Sequence, residues 1–345
     1  MFKRVLIPLV ILGACKPGTT IKENALKPAV ITEETAYDTD DPAIWINRKD
    51  TAASLIIGTD KATDGGLYVF NLEGKIVNKV LGLKRPNNVD IAYGLLVGGV
   101  STDIAVVTER ETNKIRVFRL PDMVPLDNGG IPVFEKETLQ APMGIALYTR
   151  PSDTAIFAIV GRKTGPAEEY LWQYRLADNG NGVVTGTMVR KFGKYSAKKE
   201  IESIAVDNNL GYVYYSDETV GVRKYTADPD QHNNTELALF ATAGFTSDHE
   251  GISIYPLSDT TGYLLVSNQQ ANTFMVYRRE GEKGNAQVHN LVAEVPVSTL
   301  ESDGSDVTAV PLGSKFPKGL FVAMSNGKVF HYYSWEDIEK RIPKQ

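Results

Sequence analysis

The chain of 345 residues has one cysteine, Cys15, and four histidines, His232, His249, His289 and His331, scattered without an HExxH or His-rich tract. A lone cysteine excludes an intramolecular disulfide, and its place in the N-terminal stretch leaves none to head a CxxxxxR phosphatase loop. The scattered histidines exclude the common zinc patterns and a purple-acid-type dinuclear site. No RHGxRxP is present, which excludes a histidine phosphatase. A basic excess is also missing: 37 Lys and Arg face 42 Asp and Glu, for a net charge of −5. Non-specific nucleic-acid binding, which needs a basic footprint, is thereby excluded. Beyond the N-terminus no stretch approaches the roughly 20 apolar residues of a transmembrane helix. Long Ala/Glu/Leu runs are absent too, which speaks against a helical domain.

What is present is a repeat. The stretch from Tyr37 to Phe70 reads as three short strands, AIWIN (43–47), SLIIGTD (54–60) and GLYVFNL (66–72), rich in β-branched and aromatic residues and bounded by Asp, Gly, Pro or Asn. The opening recurs as NNVDIAY, PMGIALY, EIESIAVD, DHEGISIY and DGSDVTAV. The second strand recurs as DIAVVTER, AIFAIVGRK, GYVYYSDE, GYLLVSNQ and GLFVAMSN. Third strands follow in step, and fourth strands follow in the first five units. The sixth unit runs out into WEDIEKRIPKQ, so its outer strand is expected from the early PAVITEET (28–35). A β-sandwich or a pair of barrels would also use many short strands. The three-part motif recurring in step selects an all-β, six-bladed β-propeller, its ring closed by an N-terminal strand. The expected organisation is a leader over 1–14, a tether over 15–27, the propeller over 28–335 and a polar tail over 336–345.

In a propeller the first strand of each blade lines the central channel. The repeat therefore gathers Asp40, Asp41, Asn88, Asp90, Glu202, Asp248, Glu250, Asp303 and Asp306 at one mouth. The second strands bring Asp60 and Lys61, Glu109 and Arg110, Arg162 and Lys163, Asp217 and Glu218, and Gln269 to the same rim. So many carboxylates need compensation, because like charges at short range raise each other's pKa. Hard divalent cations supply it, and an oxygen-only donor set favours calcium over zinc. Lys61, Arg110 and Lys163 among them suit an anionic ligand. A plainer reading stands beside this one: Asp before an Ile-rich strand caps turns, and channel carboxylates also hold purely structural calcium.

The N-terminus carries Lys3 and Arg4, an apolar run from Val5 to Leu12, then Leu12-Gly13-Ala14-Cys15. Basic, apolar and small segments in that order describe an export signal. LGAC resembles the lipobox of bacterial lipoproteins, which implies cleavage before Cys15, lipidation of its thiol and tethering to a bacterial membrane, in the periplasm and outer membrane or at the cell surface.

DTDDPAIW, GTDK with GGLYVFNL, NNVDIAYG, HEGISIY and DGSDV resemble, in order and over about residues 30 to 335, the motifs of the β-propeller (alkaline) phytases. The resemblance implies a six-bladed propeller and a phosphoric monoester hydrolase of 3-phytase type. The implied activity is calcium-dependent hydrolysis of phytate, presented as its calcium salt, to lower inositol phosphates by a metal-activated water. It implies calcium ligands at Asp40, Asp41, Glu202, Glu218, Asp248, Glu250, Gln269, Asp303 and Asp306, holding several ions. Glu202, Asp303, Asp306 and Lys61 are the implied catalytic set, with phosphate contacts from Lys61, Arg110, Tyr148, Arg162 and Lys163. Partners are then the small-molecule substrate and a membrane touched only through the lipid, with a monomer expected. Two departures stand out: Ala92 where the family usually has Arg, and a longer GRKTGPAEEYLWQYRL segment. The rival readings are a calcium-dependent lactonase-like hydrolase, which needs neither Lys61 nor Arg110, and a non-catalytic surface-anchored binding module.

Overall fold

The computed structural model describes residues 20–344. The expected leader and the lipidation site Cys15 lie outside the described residues. The described chain folds into six four-stranded antiparallel sheets, five of them built from consecutive strands. Blade 1 comprises Thr39–Trp45, Leu55–Asp60, Gly65–Phe70 and Ile76–Leu83. The innermost strands of the other blades are Pro86–Val97, Pro142–Thr149, Ile204–Asp207, His249–Pro256 and Ser305–Thr308. Each innermost strand touches the next, and the last touches the first, so the ring closes. Closure is made by Val30–Ile31, which pairs antiparallel with Val329–Ser334 in blade 6.

Strand alternation explains why the ring holds. Successive residues of a strand point to opposite faces, and here both faces are buried. Ile57, Leu67 and Val69 enter the core between blades 1 and 2, while their neighbours Ile56, Tyr68 and Phe70 enter the core between blades 1 and 6. The same division gives one apolar cluster at each of the six blade interfaces. No blade buries both of its faces alone, so the repeats stand or fall together.

Two expected boundaries shift. Part of the tether is docked: Leu26 bridges Val297, and Lys22 pairs with Glu294 at 2.6 Å. The polar tail forms the helix Trp335–Glu339. Its Trp335 stacks on Tyr255 with ring centroids 3.5 Å apart, and Ile338 and Ile342 complete the core between blades 5 and 6. No helix among the described residues is long and apolar enough to cross a membrane.

Candidate functional site

The mouth of the channel is shaped by a bulge repeated from blade to blade. In blade 1 the register runs from Thr39 opposite Asp60 to Pro42 opposite Gly58, so three residues advance against two. Blades 2, 3 and 5 show the same offset at Pro86/Val89, Pro142/Ile145 and His249/Ile252. An extra residue bends the strand and re-aims its side chains. Asp40 consequently turns to the mouth while Asp41 turns into the channel. Glycine permits the close approach: a Cβ on Gly304 would stand 2.7 Å from the Asp40 carbonyl oxygen, and one on Gly144 would stand 2.0 Å from that of Glu202.

The ends of the second strands form two circles. The last residue of each strand ties the loop that leads into its own blade. Asp60 accepts from the N–H groups of Ala36, Tyr37 and Asp38 at 2.8–3.1 Å. Glu109 accepts from Lys84 N–H, Asp217 from Ser196, Asn268 from Thr246 and Ser325 from Leu300. Arg162 does this with reversed polarity, its guanidinium donating to the Leu139 carbonyl at 3.0 Å. In blades 1 to 5 the following residue, on the opposite face, enters the mouth: Lys61, Arg110, Lys163, Glu218 and Gln269.

At the mouth the Lys61 ammonium lies 2.7 Å from Asp40 and 2.5 Å from Asp303, joining blades 1 and 6. Gln269 donates to the other Asp303 oxygen. Asn87 donates to Asp40 at 2.7 Å and to Glu202, and accepts from Arg110. Lys163 pairs with Glu200 at 2.8 Å. Lys199 pairs with Asp248 at 2.6 Å and Glu218 at 3.0 Å, joining blades 4 and 5. Gln270 donates to Asp248 at 2.7 Å. Carboxylate oxygens of Glu202, Glu218 and Glu250 lie within 4.8 Å of one another, and one buried Glu250 oxygen has no hydrogen-bond partner.

A second tier lies inside the channel around a cavity of about 140 Å³ lined by Asp41, Asp90 and Asp306. These carboxylates join successive blades. Asp306 accepts from Ile44 N–H at 2.8 Å, Asp41 from Val89 at 3.0 Å and Asp90 from Leu147 at 2.6 Å.

Burial sets the electrostatics. Asp40 and Glu250 are pushed well above the carboxylate range by desolvation, with repulsion from neighbouring acids adding to it. Desolvation also raises Asp41 and Asp303, and takes Glu218 to about 7, Asp306 to about 7 and Asp90 to about 6. Asp248 goes the other way: burial would raise it, but Lys199, Gln270 and Ser247 together hold it below its ordinary value. Lys61 and Lys199 are held protonated above the usual lysine range by their carboxylate partners, against burial that alone would lower them. The donor set fits a hard cation: oxygen ligands on several blades, carboxylates destabilised by their surroundings, and an unpaired buried oxygen among three of them.

The structure thus brings together Asp40, Glu202, Glu218, Asp248, Glu250, Gln269, Asp303, Lys61, Arg110 and Lys163, and sets Asp41 and Asp306 one layer deeper. It does not bring two expected phosphate contacts to the mouth. Arg162 is 1% exposed, and its guanidinium is turned between blades 2 and 3, 4.6 Å from the Phe134 ring centroid. Tyr148, 3% exposed, lies at the far end of Pro142–Thr149, beside the opposite rim, stacked on Phe157 in the core between blades 3 and 4. Asp60, Glu109 and Asp217 belong to the tying circle. Ala92 packs in the core between blades 2 and 3. Sequence reasoning missed Lys199, Gln270 and the part played by Asn87 beside Asn88. The Lys198-Lys199 pair immediately before EIESIAVD was the available signal for Lys199.

The sequence model of the family described as Phytase matches residues 17–341. The 3-phytase of Bacillus subtilis (strain 168) is 32% identical over 320 residues, covering 88% of this chain and 81% of that protein. Among solved structures, the Dos1 propeller matches with a TM-score of 0.46 and 12% identity, over 86% of this chain and 67% of that one.

Proposed function

The chain belongs to the phytase family and is a phosphoric monoester hydrolase of phytase type; we propose that the acidic mouth is its active site and that it cleaves phytate with the help of calcium. The observation that carries this reading is the juxtaposition of the Glu202–Glu218–Glu250 trio with Lys61, Arg110 and Lys163 on one rim. Family membership sets aside the lactonase and binding-module readings.

Asp40, Glu202, Glu218, Glu250, Gln269 and Asp303 would hold calcium at the mouth, Asp41 and Asp306 would hold it in the channel, and Asp248 is engaged by Lys199 and Gln270 instead. When bound, calcium supplies charge neutralisation for phosphoryl oxygens and acidifies an attacking water. Glu202 and Asp303 would orient an attacking water and accept its proton at a carboxylate oxygen. Lys61, Arg110 and Lys163 hold substrate phosphates by charge-assisted hydrogen bonds. Three cations spread over blades 1, 2 and 3 suit a polyanion bearing several phosphates better than a single small phosphate. Cleavage at the 3-phosphate follows the name of the Bacillus subtilis relative. Export and lipid anchoring through Cys15 complete the reading. Cys15→Ser should move the protein from the membrane fraction to the soluble one, and continued membrane retention would refute the anchor.

The test is phosphate release from calcium phytate by the chain lacking residues 1–15, at neutral to mildly alkaline pH, with and without a calcium chelator. Release that the chelator abolishes is expected. Release indifferent to the chelator would refute the calcium role, and no release from folded, calcium-loaded protein would refute the substrate.

A further inference from the structure

Six carboxylates crowd the mouth (Asp40, Glu202, Glu218, Asp248, Glu250 and Asp303), and they are not neutralised evenly. Lys61 serves Asp40 and Asp303, where blade 1 meets blade 6. Across the channel Lys199 spans Glu218 and Asp248, where blade 4 meets blade 5. Between these two ammonium groups stand Glu202 and Glu250, and the Glu250 oxygen without a partner is buried there. Lys199 differs from Lys61 in how it is held. Lys61 has a side chain 22% exposed, whereas that of Lys199 is 43% exposed and arises from the irregular segment preceding Ile204–Asp207. An ammonium on a flexible four-carbon stem is a point charge that moves at little cost.

We infer that Lys199 is a resident counter-ion occupying a cation position between Glu218 and Asp248, so that it keeps one divalent ion out of the calcium-binding mouth. This inference rests on the calcium reading proposed above. Its chemistry is competition for the same oxygens: Lys199 lies between Glu218 Oε2 and Asp248 Oδ2, and a divalent ion bridging those two atoms would have to displace its ammonium. Glu218 is the hinge of the competition, because it also belongs to the trio with Glu202 and Glu250. The lysine therefore confines divalent ions to the side of the mouth where Glu250 lacks a partner. It also leaves a cationic side chain at the rim, next to where an anionic substrate arrives.

The experiment is calorimetric titration of the full chain, stripped of metal, with calcium. Lys199→Met is expected to bind one more calcium ion per chain than the wild type. Lys199→Arg restores a cation at the position and should bind the wild-type number. Lys198→Met, a neighbouring exposed charge hydrogen-bonded only through its backbone N–H to Ser196, should also bind the wild-type number. Far-UV circular dichroism before titration establishes that each variant is folded. A wild-type stoichiometry in Lys199→Met would overturn the inference and leave the calcium reading intact. An equal gain in Lys198→Met would overturn it too, since the cause would be general surface charge. Absence of calcium binding by both wild type and Lys199→Met would overturn both readings.

Discussion

Asp306 is a carboxylate whose burial the fold tolerates only at a cost, and Asp306→Asn measures that cost. The side chain accepts the N–H of Ile44 in the adjacent blade at 2.8 Å and that of Val307 at 2.7 Å, and faces Asp41 and Asp90 across the channel cavity. Desolvation pushes its pKa up from 3.8 to about 7 in the folded protein. A raised folded-state pKa means that the folded state binds the proton more tightly, so this group's contribution is fully present below about pH 4 and is lost as pH climbs through 7. Between about pH 5 and about pH 8 the loss is roughly two pKa units, or about 3 kcal/mol at 1.36 kcal/mol per unit. The slope of the whole protein is not the readout, because other groups oppose it. His289 and His331 are held neutral by burial with values near 4, and their contribution is lost as pH falls from 6.5 towards 4. Comparing the variant with the wild type cancels the histidines. Asn keeps an oxygen that accepts an N–H but carries no charge to desolvate. In chelator, Asp306→Asn should therefore gain about 3 kcal/mol on the wild type between about pH 5 and about pH 8. In urea melts, with a slope of about 3 kcal/mol/M or more for a chain of this size, that is a relative midpoint gain of at most roughly 1 M. A gap that does not change with pH, or one that moves the other way, would refute the assignment of Asp306 as a charge buried against its preference.

Glu202→Gln should abolish phosphate release while leaving the thermal midpoint within a few degrees of the wild type, because the change removes one charge without opening a cavity; full activity in that variant would remove Glu202 from the site. Tyr148→Phe should leave kcat and KM for phytate unchanged, since its ring packs beside the rim opposite the mouth; a rise in KM would show that the tyrosine reaches substrate after all. Arg162→Met should lower stability by about 1–3 kcal/mol through the lost tie to Leu139 while leaving KM within twofold; a large KM increase at unchanged stability would return Arg162 to the substrate.

The fold was legible because alternation of β-branched and aromatic residues was repeated six times in step, and a double-sided blade is what such alternation builds when both faces are apolar. Even the closing strand followed from the sixth unit's missing fourth strand. The site was less legible, for a geometric reason. At each second-strand end two adjacent polar residues face opposite ways, one to the loop behind and one to the mouth. Asp60 and Lys61, or Arg162 and Lys163, look equivalent in sequence. Which member faces the channel depends on where the strand ends and, in blades 1, 2, 3 and 5, on a bulge in the paired strand, and neither leaves a mark in composition. Tyr148 failed differently: ALY ends the strand that PMG begins, so its eight-residue length carries the tyrosine to the other rim. Lys199 sits in irregular chain between blades, where no periodicity fixes a direction.

The closing strand has a consequence for the order in which the molecule is made. Thr32 accepts a hydrogen bond from the backbone N–H of Phe330, a partner 298 residues later in the chain. Synthesis proceeds from the N-terminus, so the segment produced first must wait, unpaired, for nearly the last. Until Val329–Ser334 exists, blade 6 has no sheet for Val30–Ile31 to join, and the core between blades 1 and 6 stays open to water. The nascent chain thus has no completed form to fall into. Its final step is a single long-range latch that closes only once Val329–Ser334 is available, and a chain truncated even slightly before Val329 would lose the ring and with it the mutual support of the other blades.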